Sequence, residues 1–235
     1  MFAVLKREFR SYFQNVIGWL FVAALMALFG LYFYVYNLRQ GYPYLYYTLS
    51  AITIIFMIAV PILTMRSFAE DRKNKTDQLM LTAPVPVAKV VLGKYLAMLA
   101  VFTVDIAVFC VTPLILRAFG TIPMGESYIA ILAFWLYGAA SIAVGMFISA
   151  LTESQVIAAV LTFISYMMQS LTGLISSDGN WLTKILNGLD LYAPFEKFQG
   201  GCLDITAILY YVTVIVLFNF FTVQAIQKRR WSISK

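Results

Sequence analysis

Long apolar runs separated by short polar segments dominate the chain. A helix needs about 20 apolar residues to cross the roughly 30 Å hydrocarbon core of a bilayer. Six runs are this long, and only one of them contains a charged residue, Asp105. No run shows the alternating polarity of a barrel strand, and a backbone in lipid must satisfy its own hydrogen bonds. The pattern therefore predicts an all-α polytopic membrane protein with one transmembrane domain over residues 1–235. The predicted spans are 17–36, 46–65, 95–116, 127–151, 155–175 and 205–226.

The composition excludes the common soluble classes. Hydrophobic residues make up 62% of the 235 residues and charged residues 12%, with a mean hydropathy of +0.83. An ordinary globular chain carries about 25% charged residues. A soluble domain of this size could not bury so much apolar surface, because small domains leave a large share of their surface in water. A soluble enzyme, a disordered segment and a fibrous repeat are all excluded.

Residues that could perform catalysis or hold a cofactor are scarce. Histidine is absent, which removes Ser-His and Cys-His nucleophilic sites and most zinc sites. Cys110 and Cys202 form no CxxC pair, and Cys110 lies within a span, where a buried inert thiol is expected. The string nearest to a phosphate-binding loop, 92–95, lacks the first glycine and the hydroxyl residue. We predict no enzyme activity, no metal, no cofactor and no ATP hydrolysis in this chain.

The basic residues are distributed unevenly between the two sides of the predicted membrane. The side that carries both termini has 13 of the 17 Lys and Arg residues, and the opposite side has four. Cytoplasmic loops are enriched in Lys and Arg, so this distribution predicts that both termini are cytoplasmic. It also accounts for the net charge of +6 without a nucleic-acid partner.

Residues 1–15 are predicted to form an amphipathic helix. Large apolar side chains recur there at spacings of three and four, and cationic residues occupy the positions between them. Such a helix lies along the inner membrane surface, with its rings at the acyl boundary. The alternative is a basic flank that only sets orientation. The apolar positions are Phe2, Leu5, Phe9, Tyr12 and Phe13.

The segment 66–94 is the largest predicted cytoplasmic loop. Ser67 and Glu70 have the spacing of a capping box, which predicts that a helix begins there. A second short helix would carry the apolar residues 79–81 and end at Pro84. An apolar patch on a short charged helix suits docking into a groove of a cytoplasmic partner. The alternative is a solvated connector.

The segment 176–204 is predicted to form one or two short helices on the opposite side of the membrane. Trp181, Tyr192 and Phe195 are expected to act as anchors at the level of the lipid headgroups. Either a passive cap or a gating role fits this segment.

Asp105 is the one intramembrane ionisable candidate. A charge at that depth is costly, so this residue should face a cavity or a partner, or be protonated. The alternative is a packing residue that hydrogen-bonds to Thr103, Thr112 or another span. Pro61 and Pro113 could kink their spans, and the small residues of 138–145 would permit close helix packing.

Three stretches resemble a known family. They are 61–97, which contains the string Leu-Thr-Ala-Pro, 189–212, and the terminal string Gln-Lys-Arg-Arg-Trp of 227–231. Together with the order of the spans, they resemble the permease subunit of the ABC-2 type of ATP-binding-cassette transporter. Within this family, the chain most resembles the permeases that are linked to gliding motility and to copper-enzyme maturation.

The resemblance implies an exporter-type fold of six spans, like that of the type V exporters, in a bacterial cytoplasmic membrane. It implies a second permease subunit, as a homodimer or heterodimer, and two copies of a separate cytoplasmic ABC ATPase that binds ATP and Mg²⁺. In this family, the loop after the second span supplies a coupling helix that docks in the ATPase. The expected docking residues are Glu70, Asp71, Arg72, Lys75, Thr76, Asp77, Leu79, Met80, Leu81 and Pro84.

Two other functions compete with this expectation. An ion-coupled secondary transporter or channel could use Asp105, but such proteins usually carry more intramembrane ionisable residues and often an internal repeat. A membrane-embedded enzyme would need an acid–base pair, and the predicted spans show none. The aromatic spans, which carry almost no fixed charge, suit a lipid-like, hydrophobic or peptide cargo, or a mechanical role without a cargo.

Overall fold

The computed structural model describes residues 2–73, 86–120, 122–175, 190–198 and 201–233. Helices contain 88% of these residues, and no strand occurs among them, which confirms the all-α prediction. A six-residue π-helical turn, Tyr34–Arg39, extends the second helix. The α-helices are α1 (Phe2–Gln14), α2 (Val16–Phe33), α3 (Leu45–Lys73), α4 (Val87–Phe109), α5 (Thr112–Phe119), α6 (Met124–Leu151), α7 (Gln155–Ile175), α8 (Tyr192–Glu196) and α9 (Ile205–Ile233).

The long helices fit a protein that crosses the membrane several times. Within the described residues, five apolar segments reach the length needed to span a bilayer. They are Val16–Arg39, Leu45–Lys73, Val87–Phe119, Met124–Leu151 and Ile205–Arg229. A shorter apolar segment, Gln155–Met168, lies within α7, whose bounds coincide with the predicted fifth span.

Helix α6 is the centre of the bundle and packs against α3, α4, α7 and α9. Its small residues permit this, as the sequence predicted. A Cβ atom added to Gly145 would lie 2.5 Å from Thr64 Oγ1, and one added to Gly138 would overlap the Phe102 ring. Neighbouring helices therefore contact the backbone of α6 directly.

Aromatic rings fill the space between the central helices. Phe29 of α2 stacks on Phe109 of α4, with ring centroids 3.8 Å apart. The ring centroids of Phe134 on α6 and Phe56 on α3 are 5.3 Å apart. Phe195 of α8 is fully buried against Tyr46, so the prediction that Phe195 is a headgroup-level anchor was wrong. Trp181 lies outside the described residues.

The two ends of the bundle differ in chemistry. One end, here called the basic end, contains α1, the end of α3, the start of α4, the α6–α7 turn and the end of α9. Its elements are joined by ion pairs, such as Arg229 with Glu153 at 2.8 Å. The opposite end, here called the tyrosine end, contains the π-helical turn, the start of α3, and α8. The tyrosine rings of residues 32–47 make successive contacts there.

One predicted helix start was wrong, and the third predicted span contains a break. No helix begins at Ser67, because α3 continues without a break from Leu45 to Lys73 and Ser67 is buried within it. The third span is interrupted at Cys110 and Val111, and α5 restarts with Pro113 in its first turn, where the missing amide hydrogen is not needed. Pro61, by contrast, lies inside the continuous helix α3.

Helix α1 forms over nearly the predicted residues, and Lys6, Arg7 and Arg10 are exposed. The prediction that Tyr12 faces the acyl chains was wrong. This side chain is buried, and its hydroxyl donates to the carbonyl oxygen of Leu63 on α3 at 3.4 Å. Burial, together with the negative charge of Glu8, raises the pKa of Tyr12, so its phenol keeps the proton it donates.

Candidate functional site

A buried lysine lies at the basic end, where three helices meet. Lys94 of α4 is only 3% exposed. Its Nζ atom is 2.7 Å from Asp71 Oδ2 of α3 and 3.2 Å from Glu8 Oε2 of α1. Nζ also donates to the carbonyl oxygen of Ser67 at 2.9 Å and lies 5.2 Å from the ring centroid of Phe68. We call these five residues the Lys94 cluster.

The local sequence explains why these groups converge. Asp71 is four positions after Ser67 and three after Phe68, so all three lie on the same side of α3. The 29 residues of α3 extend about 43 Å at 1.5 Å per residue, which exceeds the membrane core by roughly two turns. The projecting turns place this face beside α4. Gly93 lets α1 approach, because a Cβ there would lie 2.9 Å from Val4 Cγ1.

The cluster is a charge network rather than a simple surface pair. Removing an ion from water costs several kcal/mol, and only close counter-charges and hydrogen bonds offset that cost. Lys94 has two carboxylates as counter-charges and donates a hydrogen bond to a carbonyl oxygen, and it also lies over an aromatic ring. Such a network joins α1, α3 and α4, and removal of Lys94 would take this counter-charge from both carboxylates.

The cluster lies where it connects the two helices that flank one loop. Helix α3 ends at Lys73, two residues after Asp71, and α4 begins at Val87, about two turns before Lys94. The intervening loop, residues 74–85, lies outside the described residues. Its two flanking helices are therefore connected to each other and to α1 by the side chain of Lys94.

Of the predicted docking residues, three are described, and all three contact other parts of this chain. Glu70 forms an ion pair with Arg66, and Asp71 belongs to the Lys94 cluster. Arg72 donates to the carbonyl oxygen of Thr152 at 2.9 Å and to that of Ala150. Arg72 thereby connects α3 to the α6–α7 turn. The other seven lie outside the described residues: Lys75, Thr76, Asp77, Leu79, Met80, Leu81 and Pro84.

Asp105 lies elsewhere, in the interior of the bundle. Its side chain is completely buried, and neither carboxylate oxygen has a hydrogen-bond partner among the described residues. Thr103 and Thr112 donate to backbone carbonyls of the same segment, so neither is the partner that the packing alternative required. Asp105 is eleven residues from Lys94, or about 16 Å along the helix, and is not part of the cluster.

Sequence reasoning missed Lys94 and Glu8 as site residues. One available signal was that Lys94 interrupts an apolar stretch after Gly93; another was that Glu8 is the only acidic residue before Glu70. Neither signal identifies the partner, because the contacts join residues 23 and 86 positions apart. Within the described part of the chain, no three acidic or sulfur side chains converge to hold a metal ion.

Comparison with known proteins agrees with this architecture. The chain matches the family model described as ABC-2 family transporter protein over residues 33–223, which is 191 of its 235 residues. The chain therefore belongs to the ABC-2 transporter family and is a multi-pass membrane permease. No curated protein matches it. The matched region includes the loop 74–85, both of its flanking helices and Asp105, and it excludes α1 with Glu8.

Proposed function

We propose that this chain is the transmembrane subunit of an ATP-driven exporter, powered by a separate cytoplasmic ATPase that holds ATP and Mg²⁺. The observation that carries the proposal is the Lys94 cluster at the two ends of loop 74–85. A partner that binds and displaces this loop would pull on α3 and α4 together, because Lys94 joins them. Glu8 would transmit the same displacement to α1.

The mechanism follows from two conformations with different affinities for the ATPase dimer. ATP closes the ATPase subunits, and the closed form stabilises the conformation of the permease that fits it. A rigid-body movement of the joined helices then shifts access from one side of the membrane to the other. ATP hydrolysis takes place in the partner. This chain supplies the transport pathway and the joined helices that transmit the movement.

The arrangement in the membrane follows from the charge distribution. The basic end is placed in the cytoplasm by the excess of Lys and Arg, so both termini and loop 74–85 face the ATPase. The complex contains two permease subunits, identical or not, and two ATPase subunits in a bacterial cytoplasmic membrane. The docking surface consists of loop residues 75–84, and Glu70, Asp71 and Arg72 hold the base of that loop.

Docking is tested by co-expressing the chain with an ABC ATPase encoded beside it. The double substitution Leu79→Asp and Leu81→Asp should abolish co-purification of the ATPase, because a carboxylate cannot be desolvated in an apolar groove. Insertion into the membrane should persist. Leu203→Asp, at an exposed leucine of the tyrosine end, is the matched control. Undiminished binding of the ATPase to the double variant would refute the docking surface.

A different variant tests whether the Lys94 cluster transmits movement from the ATPase to the tyrosine end. Lys94→Met should retain the ATPase but lose the ATP-dependent change at the tyrosine end. The readout is the rate at which a membrane-impermeant maleimide alkylates the exposed Cys202, in a Cys110→Ala background. Lys89→Met, at an exposed lysine of the same helix, should behave as wild type. If Lys94→Met retains a normal ATP response, the cluster does not transmit movement.

An ion-coupled transporter remains the second candidate, because Asp105 is buried with no hydrogen-bond partner among the described residues. This candidate requires Asp105 to carry a proton or ion during transport. Asp105→Asn keeps the shape and removes the charge, so it should abolish uptake or efflux by the chain reconstituted without an ATPase. If transport requires the ATPase and survives Asp105→Asn, Asp105 is a packing residue.

A further inference from the structure

A cavity of about 460 Å³ lies at the tyrosine end, between the π-helical turn, α3 and α8. This volume falls within the range of roughly 300–1,000 Å³ that is typical of small-molecule sites. Ile54 forms part of its wall and is 70% exposed, so the cavity opens on the side of the bundle rather than into a closed interior. Its main lining residues are Tyr36, Tyr47, Ser50, Ala51, Ile54 and Tyr192.

The lining changes from polar to apolar along α3. Tyr47 and Ser50 lie toward the tyrosine end, and the Ser50 hydroxyl is 2.8 Å from the hydroxyl of Tyr192. Ile54 and Met57 follow one and two turns deeper. From Tyr47 to Met57 the helix rises about 15 Å, which is half of the roughly 30 Å hydrocarbon core. The cavity thus has the depth and polarity gradient of one lipid leaflet.

The wall at the polar end is held by specific contacts. The Asn37 amide, buried within the π-helical turn, donates to the carbonyl oxygen of Tyr42 at 2.8 Å and accepts from Thr48 Oγ1 at 2.6 Å. Gly41 adopts a positive φ of 73°, which lets the chain reverse between the turn and α3. These contacts hold the turn against the start of α3, and the Tyr42 ring in turn contacts the rings of Tyr36 and Tyr47. π-Helical turns are frequent at functional sites.

We propose that this cavity binds an amphiphile with an uncharged, hydrogen-bonding headgroup, such as a glycoside or an acyl ester or amide. The tyrosine and serine hydroxyls would contact the headgroup, and aromatic faces would cover the flat apolar surface of a sugar. The alkyl chain would lie along Ala51, Ile54 and Met57 and leave through the lateral opening. None of the described lining residues carries a formal charge, so they offer no counter-ion to a phosphate or ammonium group.

Two sources could supply such a molecule: the exported cargo, or a lipid of the surrounding leaflet. Both share the chemistry that the cavity recognises. The assignment to cargo rests on the proposed export function, whereas binding itself does not. The test therefore uses the full chain alone for binding and the complex with its ATPase for release.

The probe is a monoacyl glucoside with a photoreactive diazirine in its alkyl chain, added at low mole fraction to phosphatidylcholine nanodiscs that contain the chain. Illumination should label Ile54 and the half-buried Met57 above the level of the exposed Leu114 on α5, and excess unlabelled glucoside should compete. Ala51→Phe, which fills the cavity, should reduce this labelling at least five-fold. Ala107→Phe, the same change at an exposed position of α4, should not.

Different results of this experiment test the site, the headgroup preference and the source of the ligand. Uniform labelling of all exposed apolar residues, or undiminished labelling of Ala51→Phe, would overturn the site. Competition by anionic phosphatidylglycerol as strong as by the glucoside would overturn the preference for an uncharged headgroup. If ATP releases the probe from the complex with the ATPase, the ligand is cargo. If binding is saturable and ATP has no effect, the site holds a leaflet lipid, and the proposed export function stands untouched.

Discussion

Lys94 Nζ and Asp71 Oδ2 lie 2.7 Å apart, although the two residues are 23 positions apart and belong to the helices on either side of loop 74–85. The same amine reaches Glu8 of α1. A single buried cation therefore sets the distance between the two ends of the loop and fixes α1 to both. This relationship leads to the first prediction, which concerns stability.

Lys94→Met should destabilise the protein by about 3–5 kcal/mol, the range for breaking a buried ion pair from one side. Asp71 would then lose this counter-charge, and Glu8 would keep only its more exposed pair with Arg7. The double variant Lys94→Met with Asp71→Leu should recover much of the loss, since apolar groups often replace a buried pair without penalty. The Tm in detergent measures the stability of the single and the double variant, with Lys89→Met as the control. A Tm for Lys94→Met equal to wild type would show that the amine is solvated.

The central position of α6 leads to a prediction about packing. Gly145→Val should lower stability by about 1–3 kcal/mol, because the added side chain would collide with Thr64 of α3. Gly30→Ala should be neutral or better, since a Cβ there meets nothing within 4 Å. The fraction of monodisperse protein after solubilisation and the Tm are the measurements. Unchanged values for Gly145→Val would mean that α3 and α6 separate easily.

The tyrosine end depends on Asn37. Asn37→Leu should cost about 1–3 kcal/mol, because it leaves the Thr48 hydroxyl and the Tyr42 carbonyl without their partner. Exposed Gln40→Ala, next to the same turn, should have little effect. If the turn loosens, the exchange of the amide hydrogens of the π-helical turn Tyr34–Arg39 should accelerate in Asn37→Leu alone. Equal exchange in both variants would argue against this role.

Asp204 gives a prediction about pH. Its carboxylate accepts a hydrogen bond from the Thr206 amide at 2.9 Å, just before the start of α9, and this bond holds the pKa of Asp204 below its usual 3.8. A lowered folded-state pKa stabilises the protein above the unfolded value of 3.8, and the contribution disappears as pH falls through the folded value. The Tm difference between wild type and Asp204→Ala should therefore narrow below pH 4. A constant difference from pH 7 to pH 3 would exclude the carboxylate as its cause.

The secondary structure could largely be predicted because the bilayer leaves few choices. An apolar run of 20 residues must become a helix, whatever it packs against. The positions of α6 and α7 followed from this rule alone, and the close packing around Gly138 followed from the small size of the residues there. The boundaries were less predictable where helix α3 leaves the membrane. The spacing of Ser67 and Glu70 resembles a capping box, yet α3 continues through it, because Ser149 of α6 and Lys94 of α4 bind its far end.

The sequence by itself therefore determined the class of protein and its long apolar helices, since hydrophobic length and charge are properties of each segment. The loop where a partner should act stays a prediction. Only the tertiary structure decided which groups meet: Lys94 with Asp71 and Glu8, Asn37 with Thr48, and Ser50 with Tyr192. Each of these contacts joins separate elements or the two sides of a turn. The energy of a buried polar contact depends on a partner's position, and that position is fixed only when the helices have packed.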